Sequence, residues 1–296
     1  MSPHSRLPAL LYLAGAVAAC RADRPSPDAD AAVPSSSAAA GPAATATSSP
    51  ITVTATDFKL DMPATVPSGA VSLRLVNSGK EFHQAQIVRL DQGKTVADLE
   101  AAMKHEGPPP AWLRFVGGPN GIGPGQEATS MASLAPGTYA LICLIPSPDG
   151  VSHLMKGMIQ PFEVTGGGAE AALPVASDTV RLGDYSFEPA RPITPGQHTF
   201  LVTNGGQQPH ELVLLRLAPG KTVKDFGEWA TTGGMKGPPP ALPLGGVAVI
   251  GQGDSGVFTA DLTPGDYGMI CFVPDSKDGK PHLMHGMMKQ ITVGQT

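Results

Sequence analysis

From about residue 51 onward, apolar and polar positions alternate in short runs rich in β-branched residues. "VSLRLVN" (71–77), "HQAQIVRL" (83–90), "HTFLVTN" (198–204) and "HELVLLRL" (210–217) each carry this period of two, which predicts strands. "TYALIC" and "DYGMIC" are apolar almost throughout, and the "APG" and "TPG" before them predict hairpin-type turns. One short helix is expected after Thr95 and another after Thr222. Each threonine is a good N-cap with an aspartate three residues on, Asp98 or Asp225, and "GPPP" at 107 and 237 is expected to stop each helix. Many short strands with so little helix predict an all-β chain built as β-sandwiches.

The pattern occurs twice. His83 and His210 are 127 apart, Cys143 and Cys271 128, His153 and His282 129, and Met158 and Met287 129. Such near-constant offsets predict two copies of one fold, at 51–165 and 177–296, joined by a linker at 166–176. The 296 residues suffice for two domains of ordinary size. Aromatics are only 5%, so the cores must rest on aliphatic residues and methionine. Net charge is −5 without runs of one sign, and no basic patch argues for nucleic acid.

The N-terminus departs from this pattern. Arg6 precedes "LPALLYLAGAVAA", too short for a permanent membrane span, and the stretch ends in "VAAC". This resembles a bacterial lipobox, which implies a signal peptide at 1–19 and a lipid on Cys20. An exported chain follows, anchored to a membrane of the cell envelope and facing the periplasm or exterior. The Ala/Pro/Ser segment that continues to residue 50 has few large apolar residues and is expected to be a disordered tether. Export places Cys143 and Cys271 in an oxidising compartment.

Each copy presents a histidine, then a cysteine at the end of a strand, then His-x4-Met in a Pro/Gly-rich loop: "CLIPSPDGVSHLMKGM" and "CFVPDSKDGKPHLMHGM". A soft thiolate, two imidazoles and a weak thioether are the donors of a blue-copper site. Both copies resemble cupredoxins, the blue type 1 copper family of plastocyanin and azurin, over all of the chain except signal and tether. "HLMKGM" and "HLMHGM" resemble the copper loop of copper nitrite reductases and multicopper oxidases. The resemblance implies two tandem Greek-key β-sandwiches, each with one copper. One site would use His83, Cys143, His153 and Met158, and the other His210, Cys271, His282 and Met287. Met155 and Met284 stand as alternative axial residues, because Met-x-Gly resembles azurin-like loops. Gln84 and Glu211 follow the first histidines where many relatives have asparagine.

Copper enzymes of this fold add a histidine immediately before the cysteine, a His-Cys-His triplet or His-x-His pairs. Here Ile142 and Leu144 flank Cys143, Ile270 and Phe272 flank Cys271, and no His-x-His occurs. His105, His198 and His285 do not form a ligand-spaced set, and the Gly-rich "GPNGIGPG" is broken by proline and opens no helix. A non-enzymatic one-electron carrier with a separate redox partner protein is therefore expected. Cu(I) capture or delivery, suggested by "HLMHGMM", and a metal-free interaction module are the other readings.

Overall fold

A computed structural model describes residues 49–91, 93–104, 109–166 and 173–294. The signal segment, Cys20, all but the end of the tether, most of the linker and His105 lie outside the described residues. The first half contains β1 (Ile51–Thr56), β2 (Lys59–Asp61), β3 (Thr65–Pro67), β4 (Gly69–Asn77), β5 (Gln86–Leu90), α1 (Val96–Ala102), β6 (Leu113–Phe115), β7 (Glu127–Leu134), β8 (Gly137–Ile142) and β9 (Ile159–Thr165). The second half contains β10 (Asp178–Gly183), β11 (Ser186–Pro189), β12 (Gly196–Asn204), β13 (His210–Leu217), α2 (Val223–Ala230), β14 (Ala241–Ile250), β15 (Ser255–Leu262), β16 (Gly265–Ile270) and β17 (Met288–Val293). A single 3-10 turn precedes the last strand of each half, at Leu154–Lys156 and His282–His285.

The strands form an eight-stranded sheet, β11-β10-β12-β15-β7-β4-β1-β2, and two smaller sheets, β3-β9-β8-β5-β6 and β14-β13-β16-β17. Inward residues of the large sheet meet those of a small sheet in each half. Val53, Leu73 and Leu75 pack with Ile87, Leu141 and Phe162, and Val180, Phe200 and Val202 pack with Leu214, Met269 and Val293. This is the expected all-β sandwich. The apolar runs before the cysteines follow from burial on both faces. Tyr139, Leu141 and Cys143 point into the sandwich, while Ala140 and Ile142 lie under α1 with Leu99. Tyr267, Met269 and Cys271 repeat this, with Ile270 under Phe226 of α2. At about 25 cal/mol per Å² of buried apolar surface, burial on both faces stabilises these two strands from both sides.

Both helices begin with the expected capping box, Thr95 with Asp98 and Thr222 with Asp225. Two expectations are corrected. The "APG" and "TPG" turns are not hairpins, because β7 and β15 belong to the large sheet and β8 and β16 to the small ones. Each turn carries the chain across the sandwich, and a tyrosine two residues beyond its glycine ties the corner, Tyr139 to Ala135 O and Tyr267 to Thr263 O, both at 2.8 Å. Nor does α2 run to "GPPP": it ends at Ala230, where the Thr231 and Thr232 hydroxyls donate to the Gly227 and Glu228 carbonyls.

The halves are joined by backbone. β7 pairs with β15 through Met131 and Val257, which makes the large sheet continuous. Behind it, segments 116–122 and 244–250 bridge one another, with Gly117 N donating to Val249 O at 2.9 Å and Ala248 N to Gly118 O at 2.9 Å. Gly118 and Gly246 let each of these segments lie close against its own half: a Cβ would stand 2.2 Å from Ala85 O and 2.0 Å from Leu212 O, respectively. The Gly-rich segment that holds no phosphate signature is thus the seam between the halves.

Candidate metal centres

The first donor of each half enters from a loop shaped by asparagine. Asn77 accepts from Gly79 N at 2.9 Å and donates to Glu81 O at 2.8 Å and Ile122 O at 3.1 Å. Asn204 does the same with Gly206 N, Gln208 O and Ile250 O. His83 and His210 follow at once, locked to the seam by backbone pairing with Ile122 and Ile250. Cys143 and Cys271 stand where β8 and β16 end. The loops beyond fold back on them: Leu154 N donates to Cys143 O at 2.8 Å, and Leu283 N to Cys271 O at 3.0 Å. Glycines at φ 93°, Gly157 and Gly286, then turn the chain so that Met158 N and Met287 N donate to the carbonyls of His153 and His282.

These loops bring His83, Cys143 and His153 together, and likewise His210, Cys271 and His282, with one donor atom of each residue within 4.8 Å of the others. All six are fully buried. His83 Nδ1 lies 3.1 Å from His153 Nδ1, and Cys143 Sγ 3.4 Å from the latter. In the second half His210 Nδ1 is 3.0 Å from His282 Nδ1, and Cys271 Sγ is 3.5 Å from His282 Nδ1. Met158 and Met287 are fully buried, each in the same core cluster as its cysteine. Met155 and Met284 are 44% and 57% exposed.

The far nitrogens decide the tautomers. His83 Nε2 faces Asp57 Oδ1 at 3.2 Å, His153 Nε2 faces Glu81 Oε2 at 2.8 Å, and His210 Nε2 faces Asp184 Oδ1 at 2.9 Å. His282 Nε2 faces the Gln208 amide oxygen at 3.4 Å. Each acceptor holds the ring proton on Nε2, so in each half two Nδ1 lone pairs point at one another about a hydrogen-bond length apart. Neutral rings so placed repel, and only a cation between them makes the arrangement favourable. Burial opposes a proton on these rings, drawing His83 and His210 below the usual histidine value and His282 down to about 4.

Burial pushes the Cys143 thiol up to about 12, and Cys271 is raised likewise, by burial and then by the Glu211 carboxylate. Such a thiol ionises only against a metal. Gln84 N–H reaches Cys143 Sγ at 3.5 Å, and Glu211 accepts from Phe272 N–H, next to Cys271, at 2.9 Å. A closed, dry set of one thiolate and two imidazoles, with a methionine buried in the same core, fits copper.

The residues behind the histidines were not singled out from the sequence. Asp57–Phe58 and Asp184–Tyr185 form the two-residue turns between β1 and β2 and between β10 and β11. Asp57 Oδ1 also accepts from Lys80 N and Glu81 N, and Asp184 Oδ1 from Gln207 N and Gln208 N. Burial opposes the charge of both aspartates, but these bonds and the histidines outweigh it and hold them below the usual carboxylate range. The signal was present: the two turns are 127 apart, the offset of His83 and His210.

No protein-family model and no curated protein matches the chain. Among solved structures it is similar to a dithionite-reduced auracyanin of Roseiflexus castenholzii, at 25% identity and TM-score 0.30, over 40% of this chain and 98% of that one. It is also similar to auracyanin A, a blue copper protein of Chloroflexus aurantiacus, at 18% identity and TM-score 0.29, over 40% of this chain and 98% of that one. A copper-containing nitrite reductase of Thermus scotoductus aligns at 13% identity and TM-score 0.23, over 82% of this chain and 61% of that one.

Proposed function

We propose that this protein is a tandem cupredoxin that carries single electrons on two type 1-like copper sites, ligated by His83, Cys143, His153 and Met158 and by His210, Cys271, His282 and Met287. The observation that carries the reading is the facing pair of Nδ1 lone pairs beside a buried sulfur, found in both halves. Bound copper would supply a Cu(II)/Cu(I) couple. The chain's own contribution is a donor set held in place by the folded-back loops and by Asp57, Glu81, Asp184 and Gln208. Fixed donors limit rearrangement when an electron moves, which suits a carrier. The exposure of Met155 and Met284 favours Met158 and Met287 as axial residues. The absence of a second histidine-rich ligand set from the sequence argues against a catalytic copper.

The lipobox-like "VAAC" supports export and a lipid anchor on Cys20, with residues 21–50 as the tether to a membrane and a separate protein as the redox partner. No helix among the described residues is long and apolar enough to cross a membrane. Copper content and visible absorption of the purified protein test the reading: two equivalents per chain and a colour bleached by a one-electron reductant are expected. Cys143→Ser should remove one equivalent and leave the other. A second reading, Cu(I) capture or delivery, is favoured by exposed Met284 beside partly exposed His285. Colourless, chelator-exchangeable Cu(I) would support it instead.

A further inference from the structure

Among the described residues only three non-glycine residues have positive φ, and two of them are Phe58 at 67° and Tyr185 at 65°. An aromatic residue is strained there, and the same strain at the same turn of both halves calls for a reason. Each ring meets the second histidine of its site edge-on: Phe58 on His153 at 5.4 Å between centroids, Tyr185 on His282 at 5.5 Å. Both rings are half-buried, and each packs on a fully buried histidine. The preceding aspartate holds the first histidine from behind. One two-residue turn therefore touches both imidazoles of its site.

The fit around this turn is close. A Cβ on Gly79 would stand 2.5 Å from Asp57 Oδ1 and 2.6 Å from His83 Nε2. On Gly206 it would stand 2.4 Å from Asp184 Oδ1 and 2.7 Å from His210 Nε2. The caps are also pinned from outside. Lys156 Nζ lies over the Phe58 ring at 4.9 Å, while the Tyr185 hydroxyl bonds Asp275 and accepts from Gln208 Nε2. The His285 ring also packs on Tyr185, at 5.2 Å between centroids.

We propose that the Asp57–Phe58 and Asp184–Tyr185 turns are caps that close the two metal sites and set the rate at which copper leaves each one. The proposal rests on the copper reading above. Phe58 and Tyr185 act as positioning residues: they touch the histidines, not the metal, and their strained backbone holds the ring where it excludes water. Opening a site requires the turn to swing away, so the ring and the aspartate leave together.

The test loads the full chain with copper and follows transfer to the Cu(I) chelator bathocuproine disulfonate under reducing conditions. Wild-type protein should release two equivalents slowly. Phe58→Gly should speed one equivalent at least tenfold and leave the other unchanged, and Tyr185→Gly should do so for the other equivalent alone. Tyr185→Phe keeps the ring and should release within twofold of the wild-type rate. Melting of the metal-free variants separates an opened site from a loosened fold, since general loosening speeds both equivalents together. Unchanged release in both glycine variants, or equal acceleration of both sites by either one, overturns the caps while leaving the copper reading intact. Release from Tyr185→Phe as fast as from Tyr185→Gly also overturns them. A wild-type protein that takes up no copper overturns both.

Discussion

Asn120 ties the two halves together at the seam. It is 1% exposed, and its two amide protons serve three acceptors: Glu211 Oε2 at 3.0 Å, Val247 O at 3.1 Å and Leu212 O at 3.2 Å. Its own oxygen accepts from Gly121 N at 2.8 Å. Asn120→Ala removes every one of these partners at once. Buried acceptors left without donors cost about 1–3 kcal/mol each, more for a charged one. The costs overlap, so about 3–5 kcal/mol is the expected loss. For a body of this size each kcal/mol is worth about 2–4 °C, which places the fall in melting temperature at roughly 6–20 °C.

A second variant tests the reasoning rather than the number. By the repeat offsets, the first half has Gln84 where the second has Glu211, and the second half has Ala248 where the first has Asn120. Glu211→Gln alone turns an amide N–H₂ toward a donor, either Asn120 or Phe272 N–H, and should destabilise although it is isosteric. Asn120→Ala/Glu211→Gln recreates the first half's combination. Its glutamine oxygen can still accept from Phe272 N–H while its N–H₂ faces the carbonyls that lost their donor. Chemical denaturation should find the double variant more stable than Asn120→Ala by at least about 1 kcal/mol, a non-additivity typical of residues in one network. A loss below about 1 kcal/mol for Asn120→Ala, or a double variant no better than the sum of its parts, would refute the account of the seam.

Glu81→Gln should raise the potential of the first site and Gln208→Glu should lower that of the second, because a carboxylate on Nε2–H makes the imidazole a stronger donor to Cu(II). A tenfold change in preference for Cu(II) reads as about 59 mV in a spectroscopic redox titration. Met158→Leu and Met287→Leu should keep copper and raise the potential, whereas Met155→Leu and Met284→Leu should change little; the reverse pattern in the same titration refutes the axial assignment. Asp178, held below the usual carboxylate range because bonds from His198, Ser177 and Arg191 outweigh its burial, should cost about 1.5–3 kcal/mol when changed to asparagine. Its folded value is depressed, so denaturation at several pH values should show the full difference above about pH 3.9 and its loss as pH falls through the folded value. Cys20→Ala should abolish lipid labelling and membrane partitioning of the full chain.

The candidate donors were legible because the chain states them twice. One His, Cys or Met on a strand edge is ordinary, but the same four types at nearly the same offsets are not, and the structure converges three of them in each half. Helix starts were legible because Thr-x-x-Asp is a local device. What stayed hidden depends on partners distant in sequence. Glu81 and Gln208 look like loop surface until the histidine loops, some 70 residues away, fold over them. "GPNGIGPG" has no period because its backbone pairs with a segment about 130 residues on, and its first glycine, Gly118, answers to the carbonyl of Ala85. The "APG" turn has the residues of a hairpin, and local chemistry does not say which sheet the next strand will join.

The halves share the candidate donors and differ in what surrounds them. Asn77 and Asn204, Asp57 and Asp184, Gly79 and Gly206 make equivalent contacts with equivalent partners. Phe58 becomes Tyr185, Glu81 becomes Gln208, Gln84 becomes Glu211, and Lys156 becomes His285. Every one of these changes falls behind a histidine, beside a cysteine or on the cap. In the first half both imidazoles donate to carboxylates. In the second, one carboxylate is replaced by an amide, and Asp275, 3.9 Å from His282 Nε2, is already engaged by Tyr185, Gln208 and two backbone N–H groups. On the reading proposed above, this leaves two sites of one metal preference in unlike electrostatic surroundings. Asn120 and Glu211 then hold them in one body: Asn120 lies two residues from Ile122, which pairs with His83, and Glu211 directly follows His210 and anchors the residue after Cys271. A change that moves the seam must therefore be felt at both sites, whereas a change behind one histidine is felt at one.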